Sequence, residues 1–124
     1  MVKWFNLAIG SMIGGYARYF LAGFVYQIFG AAFPYGTLVV NLIGCFLIGF
    51  LNTLAEEKFL LNPNARILLM IGFCGAFTTF STFMLETGNL IRDGETIRAF
   101  LNVFGSFVLG FIMFRFGIFL GELI

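Results

Sequence analysis

The sequence predicts an all-α membrane protein: four transmembrane helices per subunit in a single membrane domain over residues 1–124, with the third helix broken near its middle. Three observations carry that expectation. The chain is 60% hydrophobic and only 10% charged, where a soluble domain has roughly 25% charged residues. Four apolar runs, about 4–28, 36–55, 66–91 and 98–121, each approach or exceed the ~20 residues that a spanning helix needs. The charges fall mostly in the short connections, "EEKFLLNPNAR" at 56–66 and "RDGETIR" at 92–98. The expected place is the cell (inner or plasma) membrane, crossed several times.

The first run follows Lys3, as a secretory signal would, but it extends over twenty positions and lacks a clear small-residue cleavage site, so it reads as a retained helix. Cys45 and Cys74 both fall inside predicted spans, which favours two buried thiols over a disulfide. Histidine is absent and no Cys or carboxylate cluster has metal-ligand spacing, so zinc, haem and iron–sulfur roles are disfavoured. A net charge of +1 offers no basis for nucleic-acid binding. No nucleophile, base and oxyanion set is visible, so enzyme chemistry is not expected.

With four spans, Lys3, Lys58 and Arg66 lie near one side of the membrane and Arg92 and Arg98 near the other. Three against two is almost no positive-inside bias. Such a count fits copies that insert both ways and pair antiparallel, and it equally fits one orientation set by other forces. Four short helices leave little room for an enclosed aqueous path, so a homo-oligomer, most simply a two-fold dimer, is the expected unit.

In the first helix, "GSMIGGYARY" sets Gly10 and Gly14 four apart, the small-xxx-small spacing that lets helix backbones meet in lipid. Arg18 follows one turn on, and a charge there faces protein or water, or snorkels to an interface. The second helix places Asn41, Gly44, Cys45, Gly49 and Asn52 on one small, polar face that should point into protein. The Asn41 amide has two N–H donors for an anion, and an ordinary interhelical hydrogen bond is the alternative use. The fourth helix repeats the pattern with Asn102, Ser106, Gly110, Gly117 and Gly121.

The third helix departs from simple packing. "GAFTTFSTF", residues 75–83, interleaves four hydroxyls with three phenylalanines at bilayer depth. Glycine, serine and threonine loosen helical hydrogen bonding, and non-helical backbone at that depth is tolerated only where it is buried in protein or lines a cavity. A break around Gly72, Gly75 and the hydroxyl run would free carbonyls for a cation and N–H groups or hydroxyls for an anion. Phe77, Phe80 and Phe83 recur every three residues, giving a roughly common face if the segment after the break is helical, and the positive ring edges suit a small anion. With 19 phenylalanines in the chain, the stripe gains meaning only from its hydroxyl neighbours. Glu86 is the only carboxylate clearly inside a span, a candidate for function, for pairing with an arginine, or for the water interface.

Taken together, "GSMIGGYARY", "GTLVVNLIGCFLIG" and "GFCGAFTTFSTF" resemble the Fluc (CrcB) fluoride channels of microorganisms, over essentially the whole chain. The resemblance implies an antiparallel, dual-topology homodimer in the lipid bilayer, with two fluoride pathways and a structural Na+ on the central two-fold axis. It implies passive export of fluoride that entered as HF from an acidic medium. Phe80 and Phe83 look like the pore-lining pair and Asn41 like the pore asparagine. Gly75 and Thr78 look like the carbonyl donors to sodium. Thr37, Ser81, Thr82, Ser106 and Glu86 resemble a polar track, and Arg18 resembles a basic residue of the first helix. Asn102 and Gly110 stand where some relatives carry Tyr and Ser. The main alternative is a small multidrug-type proton-coupled cation exporter, but its chemistry needs an embedded carboxylate, commonly in the first helix, where this chain offers only Arg18.

Overall fold

The computed structural model describes residues 1–124 and is helical throughout, with no strand. In chain order the elements are α1 (Val2–Phe29), α2 (Tyr35–Glu56), α3 (Pro63–Arg66), a π-helical segment (Ile67–Cys74), α4 (Gly75–Phe77), α5 (Phe80–Arg92) and α6 (Thr96–Glu122). The helical stretches outrun the predicted apolar runs by one to three residues at each end, because capping and turn residues are polar. The Asn62 side chain, for example, accepts from the Ala65 N–H at 2.8 Å while Pro63 takes the first helical position, where a missing N–H does no harm.

Three stretches are both long and apolar enough to cross a membrane: Tyr35–Glu56, Pro63–Arg92 and Thr96–Glu122. The 28 residues of α1 are long enough, at about 42 Å of helix. Its Lys3, Asn6, Arg18 and Gln27 make it less apolar than the others.

Glycines decide which helices pair. A Cβ on Gly10 would run into the Leu68 carbonyl oxygen, and one on Gly14 into the Phe73 carbonyl oxygen. Gly10 and Gly14 therefore let α1 lie directly on the backbone of the π-helical segment, where Gly72 answers from the other side, 3.1 Å from the Gly10 Cα for any added Cβ. The second pair is α2 with α6. There a Cβ on Gly117 would meet the Phe46 carbonyl oxygen, and one on Gly49 the Phe114 carbonyl oxygen. The glycine faces read from the sequence thus become two backbone-to-backbone seams. In lipid, where apolar surface gains nothing from hiding, such close contact is the main source of helix association.

Two expectations about faces need correction. Asn52 is exposed; Gly49 and Thr53 form the buried end of the α2 face instead, and the Thr53 hydroxyl bonds back to the Gly49 carbonyl at 3.0 Å. Phe77 does not share a face with Phe80 and Phe83. It is buried and stacks on Phe73 with centroids 5.3 Å apart, because two extended residues separate it from α5 and reset the helical phase.

Replacing Gly117 with Val should destabilise the protein by about 1–3 kcal/mol through overpacking against the Phe46 carbonyl, seen as a lower Tm in detergent. Gly23→Ala, at a position with nothing nearby, should stay within about 0.5 kcal/mol.

Candidate functional site: the interrupted helix and its groove

Helical geometry stops at Thr78 (φ −94°, ψ 159°) and Thr79 (φ −150°, ψ 119°) and resumes at Phe80. Gly75, by contrast, keeps helical angles (φ −61°, ψ −37°). The interruption therefore begins three residues beyond Gly75, within the hydroxyl run. Its backbone is accounted for almost group by group. The Thr78 N–H still reaches the Cys74 carbonyl at 3.1 Å, and the Thr78 hydroxyl donates to the same oxygen at 3.0 Å. The Thr79 N–H donates to Asn41 Oδ1 at 2.9 Å, and Asn41 Nδ2 donates to the Thr79 carbonyl at 3.1 Å.

Arg18 Nε donates to the Ala76 carbonyl at 3.1 Å, a carbonyl near the C-terminal end of α4. Cations are favourable at such an end. Thr79 also caps α5, its hydroxyl accepting from the Thr82 N–H at 3.2 Å. The Thr78 carbonyl oxygen receives no protein hydrogen bond. The missing Cβ of Gly44 on α2 makes room for the Thr78 methyl group, which would overlap any side chain there.

Beside this interruption lies a groove of about 610 Å³ whose lining includes Asn41, Gly75, Thr78, Phe80, Phe83 and Ser106. Cys45 and Cys74 also border it as free thiols. Phe80 and Phe83 sit 5.9 Å apart at a 43° tilt. Phe83 is buried, whereas Phe80 is 71% exposed and stands at the open side.

Glu86 lies elsewhere, on a second cavity of about 440 Å³ that Tyr26, Asn89, Asp93 and Arg98 also line. Its partner is the Tyr26 hydroxyl, which donates to Oε2 at 2.8 Å, rather than an arginine. Oε1 is buried without a partner. Thr37 is buried at the start of α2 beside Tyr26. Ser81 is exposed and Thr82 half-buried on α5, and neither borders either cavity. The structure thus brings Asn41, Gly75, Thr78, Phe80, Phe83 and Ser106 to one groove.

Three residues were missed from sequence. Thr79 is both the clamped residue and a cap, and its only signal was membership of the hydroxyl run. Tyr26 meets Glu86 across sixty positions, and no local spacing announces that. Thr87 donates to the Phe83 carbonyl at 2.8 Å and accepts from the buried Asn102 amide at 2.9 Å, which ties α5 to α6.

Long apolar helices, glycine seams and a mostly apolar groove at helix mid-length, dotted with Asn41, Thr78, Thr79 and Ser106, define a multi-pass helical protein of the cell membrane. Residues 5–118 match the family described as CrcB-like protein, Camphor Resistance (CrcB), and the chain belongs to that family. It is 48% identical over 122 residues to a Fluoride-specific ion channel FluC of Desulforapulum autotrophicum, covering 98% of each chain. It is 48% identical over 112 residues to one of Chlorobium chlorochromatii (90% of this chain, 86% of the relative). It is 43% identical over 124 residues to one of Maridesulfovibrio salexigens (100% and 98%).

Thr79→Val should lose the cap on α5 and lower stability by about 1 kcal/mol, read as a lower Tm in detergent. Thr79→Ser, which keeps the accepting hydroxyl, should restore most of it.

Proposed function

We propose that this chain is the subunit of a fluoride-selective channel that exports the ion passively. The observation that carries the reading is the groove lined by Asn41, Thr78, Ser106, Phe80 and Phe83 beside the helix interruption, in a chain whose near full-length relatives are named fluoride-specific channels. Fluoride is small and tightly hydrated, so a selective path replaces its water with close donors while holding it weakly enough to leave. The hydroxyl of Ser106 and the edges of Phe80 and Phe83 supply such an environment in the groove. Glu86 lies on the second cavity, with Thr37 buried beside Tyr26; Ser81 and Thr82, which border neither cavity, lie outside this reading of the path.

The working unit is an antiparallel homodimer with two pores. One chain leaves the groove open and Phe80 71% exposed, so a wall is missing that a second copy supplies. The nearly even Lys/Arg count permits insertion in both orientations. All four long helical stretches cross the bilayer in this arrangement, α1 included, because α1 lies along the π-helical segment through Gly10 and Gly14.

The residues present fit a structural Na+. The Thr78 carbonyl is unpartnered, and Gly75, whose ordinary helical donor Thr79 N–H is taken by Asn41, stands exposed beside it. These are hard oxygen donors of the kind that alkali and alkaline-earth cations prefer. Two carbonyls per chain become four in a two-fold pair. The Gly75 and Thr78 carbonyls would hold the cation there, whose charge would offset the repulsion between carbonyl oxygens brought together by the pairing. Arg18 sits behind the interruption as a fixed positive charge.

Purified protein in liposomes loaded with fluoride should release it at channel-like rates, followed with a fluoride electrode, with little chloride flux. Phe80→Ile and Phe83→Ile should each lower the flux by about tenfold or more with the dimer intact. Equal chloride passage, or a flux that follows a proton gradient, would overturn the reading.

A further inference from the structure

Asn41 is engaged on both ends of its amide by one residue of the interrupted backbone, Thr79. The consequence follows from peptide geometry. Every peptide bond here is trans, so a C=O and the N–H of the next residue point in opposite directions across one rigid plane. The Thr79 N–H shares its plane with the Thr78 C=O. When Asn41 Oδ1 accepts the Thr79 N–H at 2.9 Å, it turns the Thr78 carbonyl away from itself. The second bond, from Asn41 Nδ2 to the Thr79 carbonyl at 3.1 Å, fixes the next plane, so the Phe80 N–H also points away from Asn41.

We propose that Asn41 is a positioning residue: it acts through Thr79, aiming the unpartnered Thr78 carbonyl at the cation position, rather than serving mainly as a hydrogen-bond donor to the passing anion. The inference rests on the sodium site of the proposed function. Extended backbone has two soft torsions per residue, and without a clamp Thr78 and Thr79 would lose a single orientation. Arg18 holds the carbonyl two residues earlier, of Ala76, from α1 at 3.1 Å, so the segment is gripped from two helices while the Thr78 oxygen is left open. One side chain on α2 thereby links the Na+ position to the wall of the anion groove, which Asn41 and Thr78 both border.

The first test uses the unaltered protein in bilayers, labelled with 15N at the Asn41 side-chain amide and 13C at the Thr79 carbonyl. Dipolar recoupling by magic-angle-spinning NMR should show the contact in sodium, unchanged when fluoride is added. Its absence, or its loss on adding fluoride, would mean that the amide serves the anion and would overturn the inference. The second test measures fluoride flux and dimer retention across a Na+ titration. Asn41→Ala should raise the half-saturating Na+ concentration by about tenfold, whereas Ser106→Ala should lower flux with the Na+ dependence unaltered. Reduced flux in Asn41→Ala at unaltered Na+ dependence overturns the inference. If the unaltered protein shows no Na+ dependence, the sodium reading itself falls, and the NMR contact still decides whether Asn41 clamps Thr79. That contact also decides the matter if Asn41→Ala does not assemble.

Discussion

Satisfying the backbone where Thr78 and Thr79 leave the helix is the constraint on which the rest of this molecule depends. In hydrocarbon no water is at hand, and each orphaned peptide group costs several kcal/mol. The protein answers with side chains drawn from three places: the Asn41 amide on α2, the Arg18 guanidinium on α1 and the Thr79 hydroxyl of the interrupted segment itself. The Thr78 carbonyl is left without a protein donor, and the Gly75 carbonyl loses its helical one to Asn41.

That local solution sets demands on the helices around it. Arg18 reaches Ala76 only because Gly10 and Gly14 let α1 settle on the π-helical backbone. Asn41 reaches Thr79 only because Gly44, one turn along α2, makes room for the Thr78 methyl group. The glycines therefore do more than pack: they set the distances at which two polar side chains meet a broken backbone. The separate seam between α2 and α6 holds Ser106 on the same groove, and the Asn102–Thr87 bond fixes α5, with Phe83, against α6.

Under the proposed function, this environment suits a weakly held anion. Full charges are kept off the groove wall: Arg18 is occupied with Ala76, and Glu86 is drawn to Tyr26 on the other cavity. What remains beside Phe80 and Phe83 are neutral side chains and backbone dipoles. Neutral donors can replace a hydration shell without the deep binding that a bare lysine or arginine imposes in low dielectric.

The sequence by itself determined the membrane setting, the helical runs to within a few residues, the small-residue faces and the stretch, "GAFTTFSTF", within which the helix is interrupted. Those are matters of composition and of 3.6-residue periodicity, which need no knowledge of neighbours. The family resemblance, too, lay in its motifs. Only the tertiary structure decided where the helix stops. It also paired Glu86 with Tyr26, sent Phe77 to stack on Phe73, left Asn52 exposed, and gave both ends of the Asn41 amide to Thr79. The reason is physical: a break resets helical phase by torsions that periodicity cannot count, and a buried polar group takes whichever partner packing brings within 3 Å, here from 38 and 60 residues away.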